Sequence, residues 1–371
     1  MSDNETFCLR AIRNFSAYAR KDLRRVKEPK YITLKNMPTQ VAVIVSNHNC
    51  KKYLWDCFDS LLRQTYENFE IYLLDIASSD GSVEYTSGLF PAVKIIALKI
   101  NCGFARGYNL AISTVEAEYI AFLNSDTKTE PLWLEKLVQS IEQNPDAAIV
   151  GSKIYFLNQP GIINSCGKKL TYSGTGFDIG YGLKNNANYD EPGEVGGLCG
   201  ASMLARKTVF QKLGGFDEDY FLLCEDIDLC WRIWLAGYKV IYQPLSIVGH
   251  EFGSAIGKRD TPIRIFYTQR NALITVFKNF AGMRLSFSLT IIIAYTAIRI
   301  LFYLTTGQRK NLKALLTGTG AFFPQLKSTL TKRRVIQANR KINDAFLSQK
   351  RLLTSLKDSA QEYFRVSRLS T

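Results

Sequence analysis

VAVIVSNHN (41–49), FEIYLLDIASSDGS (69–82), VKIIALKINCGFARGYN (93–109) and YIAFLNSDT (119–127) are the segments whose reading decides the fold. Each opens as a short apolar run rich in β-branched residues and closes in polar ones. Continuous apolar runs without alternation are what strands covered on both faces look like. Helical spacing fills the gaps. Residues 52–65 repeat apolar side chains at Leu54, Cys57, Phe58, Leu61 and Leu62, and 103–115 reads as a helix with a Gly-rich start. Pro131 suits the first turn of a helix over 131–143, and AAIVGSKIYF (147–156) is a fifth strand. This alternation predicts an α/β fold, a mostly parallel sheet with helices on both faces. Ligands of such sheets bind beyond the carboxyl ends of the strands. Four polar clusters fall there, at 47–49, 75–82, 101–109 and 124–127.

Further along, 158–200 is rich in Gly and Asn and reads as a loop-rich insert that shapes a cleft. Residues 201–221 return to strand, helix and turn. EDIDLCWRIWLAG (225–237) predicts a helix with Glu225, Asp226 and Asp228 in its first turn, where acids also complement the helix dipole. KVIYQP (239–244) is a last strand, and His250 follows it. Asp126 and His250 end two different strand regions, so only the fold can bring them together. A carboxylate with an imidazole suits Mg²⁺ or Mn²⁺, manganese being the better match for the ring. Such an ion stabilises a departing diphosphate as a Lewis acid. Asp226, at a helix start facing the same cleft, is a candidate general base toward a hydroxyl.

Taken in order, these segments resemble the motifs of the family 2 glycosyltransferases of the GT-A fold, especially the rhamnosyltransferase-like branch that builds bacterial surface polysaccharides. The resemblance rests on VSNHN (45–49), DIASSDGS (75–82), NCGFARGYN (101–109), NSDT (124–127), EDIDLCWR (225–232), HEFGS (250–254) and YTQRN (267–271). It covers about 41–280 and implies a GT-A nucleotide-diphospho-sugar transferase fold with a C-terminal helical extension. It implies an inverting transfer from a nucleotide-sugar donor, dTDP-L-rhamnose first and a UDP-hexose next, to a hydroxyl of a lipid-linked or glycan acceptor. Residue by residue, it implies that Asn47, Asn49, Asp75, Asp80, Asn101, Gly103, Arg106, Asn109 and Asn124 surround the nucleotide. Asp126 and His250 would hold the metal and Asp226 would be the base, with Glu225, Asp228 and Arg232 in support. Two positions depart from the pattern. Ile76 stands where the family has Asn or Asp, and His48 where it has Tyr. Ile can pack on a nucleobase but cannot read its edge by hydrogen bonding. A non-catalytic sugar- or membrane-binding relative is one alternative. A sugar nucleotidyltransferase is another, although no Gly-rich basic loop for a triphosphate follows the first strand.

The 371 residues are 46% hydrophobic and 22% charged, which excludes a disordered, collagen-like or coiled-coil protein. The net charge of +14 is unevenly spread. Residues 1–40 hold 9 basic and 4 acidic groups, 41–257 hold 17 and 25, and 258–371 hold 21 and 4. Three parts are expected: a basic segment 1–40, a catalytic domain 41–257, and a basic helical region 258–371. The apolar run 285–306 is long enough to span a bilayer, but Arg299 inside it costs about 2.5–3.5 kcal/mol at the centre of a span. A helix lying in the interface is therefore expected, a span and a buried helix being the alternatives. With the basic residues of 327–357, this favours an anionic membrane surface over nucleic acid as the partner. The eight Cys include no CxxC pair and the chain has two His, which argues against structural zinc and for reduced thiols. The N-terminus has no pattern of a secretory signal. The expected location is cytoplasmic, peripheral on the inner face of the cell membrane.

Overall fold

A computed structural model describes residues 39–251, 253 and 261–367. All but the last two residues of the basic segment 1–40 lie outside the described residues, as do Phe252 and Ser254 of HEFGS.

Every apolar run of the opening segments is a strand. In chain order come β1 (Val41–Asn47), α1 (Lys51–Leu61), β2 (Phe69–Ile76), α2 (Ser82–Leu89), β3 (Lys94–Leu98), α3 (Gly103–Thr114) and β4 (Tyr119–Asn124). Then follow β5 (Thr127–Thr129), α4 (Trp133–Gln143) and β6 (Ala147–Phe156). Helix α4 starts two residues after Pro131, which therefore precedes the helix instead of opening it. The insert folds as β7 (Gln159–Ser165), β8 (Lys168–Leu170), β9 (Gly176–Asp178) and β10 (Gly193–Glu194). After it come β11 (Ser202–Arg206), α5 (Lys207–Lys212), α6 (Glu225–Leu235) and β12 (Lys239–His250).

The main sheet runs in the order β10-β12-β6-β11-β4-β1-β2-β3, with β5 beside β12 and β7 beside β6. The pairs β1–β2, β1–β4, β2–β3 and β6–β12 are parallel, while β11 is antiparallel between β4 and β6. Strand β12 runs past the expected end at Pro244. A register shift between Gln243 and Ile247 absorbs the proline, which has no N–H to give the ladder, and pairing resumes as far as His250. That continuation carries His250 to the level of Thr127, its partner in β5.

Alternation along each strand divides the core. Val41, Val43 and Val45 pack with Leu54, Phe58 and Leu61 of α1 and with Trp133, Leu137 and Ile141 of α4. Ala42 and Ile44 face the other way, onto Tyr108 and Ile112 of α3 and Trp231 and Ile233 of α6.

Beyond 261 the chain is helical: α7 (Pro262–Asn279), α8 (Gly282–Thr305), α9 (Arg309–Gly320), α10 (Leu326–Ala338), α11 (Asp344–Gln349) and α12 (Leu356–Ser367). Helix α7 belongs to the core, with Asn271, Thr275 and Asn279 fully buried. It meets α9 so closely that a Cβ on Gly318 would lie 2.5 Å from the Phe266 carbonyl oxygen. Leu170 N donates to Leu352 O (2.8 Å) and Thr354 N to Leu170 O (2.9 Å), so the segment at 352–354 runs beside β8. Helix α8 is different. Only Ser288, Ile292 and Tyr303 are buried, and Met283, Ile293, Ile298, Leu301 and Leu304 are each more than half exposed. It is not the buried helix of a soluble domain, and by length and composition it could cross a membrane.

Candidate active site

The ends of β1 and β2 and the turn before α3 form one hydrogen-bonded cluster. Asn47 Nδ2 donates to Asp75 Oδ2 (3.0 Å) and to Ser78 Oγ (3.1 Å), and Ser78 N donates to Asp75 Oδ1 (2.9 Å). Asn49 adopts a left-handed φ of 54° and takes Ser79 N on its Oδ1 (2.8 Å). Asp80 accepts from the backbone N–H of Lys51 (2.8 Å), capping α1, and from Ser82 at the start of α2. Burial pushes the Asp80 carboxyl up, but the bonds from Ser82 and Lys51 hold it below the usual carboxylate range. The two departing residues belong here too. His48 Nδ1–H donates to Ile76 O (2.7 Å), which leaves Nε2 to accept from Asn49 Nδ2 and Asn101 Nδ2 (3.3 Å each). His48 thus ties together three strand ends. Ile76 is buried with its side chain against Gly107.

The 101–109 motif does two jobs. Asn101 Oδ1 accepts from Gly103 N (3.0 Å) at the cluster. Farther along α3, Asn109 holds Phe216 through both N–H and C=O (3.0 and 2.8 Å), and Arg106 makes an exposed pair with Glu218 (3.6 Å). In these positions Arg106 and Asn109 serve the segment leading to α6.

Asp126 and His250 come together. His250 Nε2 lies 3.4 Å from Asp126 Oδ1, and both residues are buried. Asn164 Oδ1, 3.3 Å from His250 Nδ1, takes the proton of that nitrogen. That leaves Nε2 turned toward the carboxylate. A carboxylate and an imidazole this close, with the ring held from behind by an amide oxygen, are the ligand types that a divalent cation takes. Among the described residues no group of three or more His, Cys, Asp or Glu is arranged to hold a metal, so the protein would contribute this pair. Asn124, two residues before Asp126, accepts from Ser46 Oγ (3.3 Å) at the neighbouring strand end.

Helix α6 brings the acids. Asp226 Oδ2 accepts from Gly200 N (3.1 Å), Asp226 Oδ1 accepts from Ile227 N (2.7 Å), and Lys168 Nζ lies 3.3 Å from Oδ2. Gly200 is next to Ala201, whose carbonyl accepts from Asn124 N (3.1 Å). Two adjacent residues therefore link Asp226 to the end of β4, two residues before Asp126. Burial, then the neighbouring Asp226, pushes the Glu225 carboxyl up to about 8. Asp228 and Arg232 face away into an ionic network. Asp228 is fully buried between Arg232 Nε (2.8 Å) and Lys278 Nζ (2.9 Å), and Arg232 also donates to the carbonyls of Leu213 (2.8 Å) and Gly215 (2.7 Å). Asp217 closes the network through Lys278 and Lys332. The segment between Asp217 and α6 is strained. Phe221, Leu223 and Cys224 all have positive φ (56°, 69° and 68°) although none is Gly, which costs on the order of 1–3 kcal/mol each.

Residues 42–214 match the family model described as glycosyl transferase family 2. The chain carries a family 2 glycosyltransferase domain. It is 33% identical over 137 residues to an uncharacterized glycosyltransferase of Haemophilus influenzae, covering 36% of this chain and 42% of that protein. It is 25% identical over 222 residues to an N-acetylglucosaminyl-diphospho-decaprenol L-rhamnosyltransferase of Mycobacterium tuberculosis, covering 54% of this chain and 72% of that protein. The crystal structure of GalNAc-T7 with UDP, GalNAc and Mn²⁺ superposes with a TM-score of 0.54 at 16% identity, covering 66% of this chain and 48% of that one. The fold is of the GT-A type. The chain spans less than half the length of the Haemophilus protein and of GalNAc-T7.

The family 2 match ends before α6, so Glu225, Asp226 and His250 lie beyond it. Three residues of the family 2 domain escaped sequence reasoning. Asn164, Lys168 and Asp178 all come from the insert, and Lys168 Nζ lies 3.5 Å from Asp178 Oδ1 as well as near Asp226. Burial pulls the Lys168 ammonium down, but Asp178 and Asp226 outweigh it and raise Lys168 well above its usual value. Nothing in the local sequence signals these three, because, apart from the hairpin pair itself, their side-chain partners are 58 or more residues away.

Proposed function

We propose that this protein is an inverting glycosyltransferase that moves a sugar from a nucleoside diphosphate donor to a hydroxyl of a glycan acceptor. The observation that carries this reading is the meeting of Asp126 and His250, ring oriented by Asn164, on the strand edge beside the Asn47–Asp75 cluster. The cluster around Asn47, Asn49, Asp75 and Asn101 binds the nucleotide, and Asn124 lies between it and the metal pair. Ile76 leaves base selection to packing and backbone groups. Asp126 and His250 would hold Mn²⁺ or Mg²⁺, which neutralises charge on the departing diphosphate. Asp226 takes the proton of the acceptor hydroxyl as its oxygen bonds to the anomeric carbon and the bond to the diphosphate breaks. Glu225, Asp228 and Arg232 keep the first turn of α6 in place.

The donor we favour is dTDP-L-rhamnose, because the mycobacterial relative is an L-rhamnosyltransferase. That relative's name also supports a lipid-linked acceptor, reached by a protein lying on the inner face of the cell membrane. The exposed apolar side of α8 and the exposed Arg309, Lys310 and Lys313 at the start of α9 suit an anionic lipid surface. A non-catalytic relative is the second reading. It is favoured by Asp226, whose two carboxylate oxygens already accept from Gly200 and Ile227.

A thermal-shift panel of UDP, dTDP and GDP with and without Mn²⁺ tests the reading. A ligand at 100 times its dissociation constant adds about 2.7 kcal/mol of stability. Metal-dependent stabilisation by one diphosphate is expected and names the base; no stabilisation by any of them overturns the transferase reading.

A further inference from the structure

The YTQRN motif has no part in the chemistry above, yet three of its side chains converge on one segment. Tyr267, Arg270 and Asn271 are spaced i, i+3 and i+4, so they share a face of α7. Tyr267 stacks on Phe221, ring centroids 5.4 Å apart and planes 15° from parallel. Arg270 Nη2 donates to the carbonyls of Asp219 and Tyr220 (2.8 Å each). Asn271 Nδ2 donates to the carbonyls of Tyr220 (3.1 Å), Leu222 (2.8 Å) and Leu223 (2.6 Å). Arg270 Nε donates to Asn271 Oδ1 (2.9 Å), which fixes which end of the amide faces the segment.

The segment so held is the one with three positive φ values, and it ends at Cys224, the cap of α6. A chain in that conformation turns successive carbonyls out of any regular ladder, and buried carbonyls need donors. Asn271, fully buried, and Arg270 supply them. From the opposite side Phe104 N donates to Phe221 O (2.8 Å), and a Cβ on Gly103 would lie only 2.4 Å from that oxygen. The segment is thus gripped between the 101–109 motif and α7, one step before Glu225 and Asp226.

We propose that Tyr267, Arg270 and Asn271 are positioning residues for transfer: they clamp 219–224 in its strained form and thereby aim Asp226 into the cleft. The proposal rests on the role given to Asp226. The spacing of YTQRN then has a physical cause, since i, i+3 and i+4 place all three side chains on the face of α7 turned to the segment.

The test uses the full chain with Asn271→Ala, Tyr267→Ala and the double variant Asn271→Ala/Cys224→Gly. Amide hydrogen exchange of 219–226 is read first, because it needs no substrate. It should quicken in both single variants while the strands of the sheet stay protected; unchanged exchange overturns the clamp. In transfer assays kcat should fall about 10- to 100-fold with the donor KM unchanged. Cys224→Gly, which accepts positive φ without strain, should return part of the loss. Wild-type kcat in a folded variant, a loss carried by KM, or no rescue by glycine each overturns the positioning role. If Asn271→Ala does not fold, Tyr267→Ala, which removes the stacking on Phe221 and the ring beneath Arg270 but none of the hydrogen bonds to the segment, decides. Wild-type protein inactive with every donor would sink the transferase reading itself, while the exchange arm still decides the clamp.

Discussion

Asp226 is held by three donors, and its neighbours decide what it can do. Asp226→Asn keeps the shape and removes the proposed proton acceptor. Near-complete loss of transfer with unchanged nucleotide binding is expected; wild-type turnover would remove Asp226 from the role. Lys168 touches the same carboxylate from the β8–β9 hairpin, with Asp178 balancing its charge. Lys168→Met should lower kcat about 10-fold or more, and Lys168→Arg should recover part of it. An unchanged kcat in Lys168→Met would make the ion pair merely structural. Glu225 gives a pH signature. Its carboxyl is raised to about 8 in the folded protein, so the native state keeps a proton that the unfolded chain releases. Its contribution is whole below about pH 4.5 and is lost as the pH rises through 8, at up to about 1.4 kcal/mol per pH unit. Thermal unfolding of Glu225→Gln should therefore lose less stability than wild type between pH 5 and pH 8; parallel curves would contradict the shift.

Among the elements, α8 carries the clearest test. Arg299, the residue that argued against a span, lies over the rings of Tyr295 and Tyr303 at 5.6 Å each. Its charge is met within the helix, while the apolar face stays open. Ile298→Glu with Leu301→Glu should abolish sedimentation with anionic vesicles and leave nucleotide stabilisation intact. Continued sedimentation would overturn the membrane reading. Deleting the region is the poorer experiment, because α7 and 352–354 are built into the sheet's surroundings. The elements also show what sequence can convey. Strands β1, β2, β4 and β6 are legible because burial on both faces forces largely apolar, β-branched runs. The acids of EDIDLCWR are legible as a helix start. The insert is not, since β7 to β10 are short and Gly-rich and take their partners from distant parts of the chain. The end of β12 was hidden because a proline ordinarily closes a strand, and here a register shift carries pairing past it. Asp228 and Arg232 looked like site residues by motif, but only the fold reveals that they face Lys278 and the 213–215 turn.

Across the whole molecule, the basic surplus of 258–371 is partly spent inside. Lys278 and Lys332 reach the acids of the preceding part, Asp217, Asp219 and Asp228. Burial pushes Asp217 up, but the two lysines outweigh it and hold its carboxyl well below the usual range; Asp228 is held down likewise by Lys278 and Arg232. Such groups stabilise above the unfolded carboxylate value, near 3.8, and lose that contribution as the pH falls toward their folded values. Lys332 is about one-third exposed, so Lys332→Met should cost about 1–2 kcal/mol at pH 7. In urea unfolding the gap from wild type should narrow as the pH falls from 3.8 toward the folded value of Asp217. A gap that persists in acid would assign the loss to packing instead of charge.

The bridge between Leu170 and 352–354 has a bearing on how the protein is made. The hairpin that delivers Lys168 and Asp178 is translated early, but its backbone partners are translated some 180 residues later. A nascent chain can build the parallel strands and the Asn47–Asp75 cluster while still on the ribosome. It cannot finish the surroundings of Asp226 until α7, α10 and the 352–354 strap have emerged. Nucleotide binding should therefore appear during synthesis before sugar transfer does, with turnover withheld until the strap is free to dock.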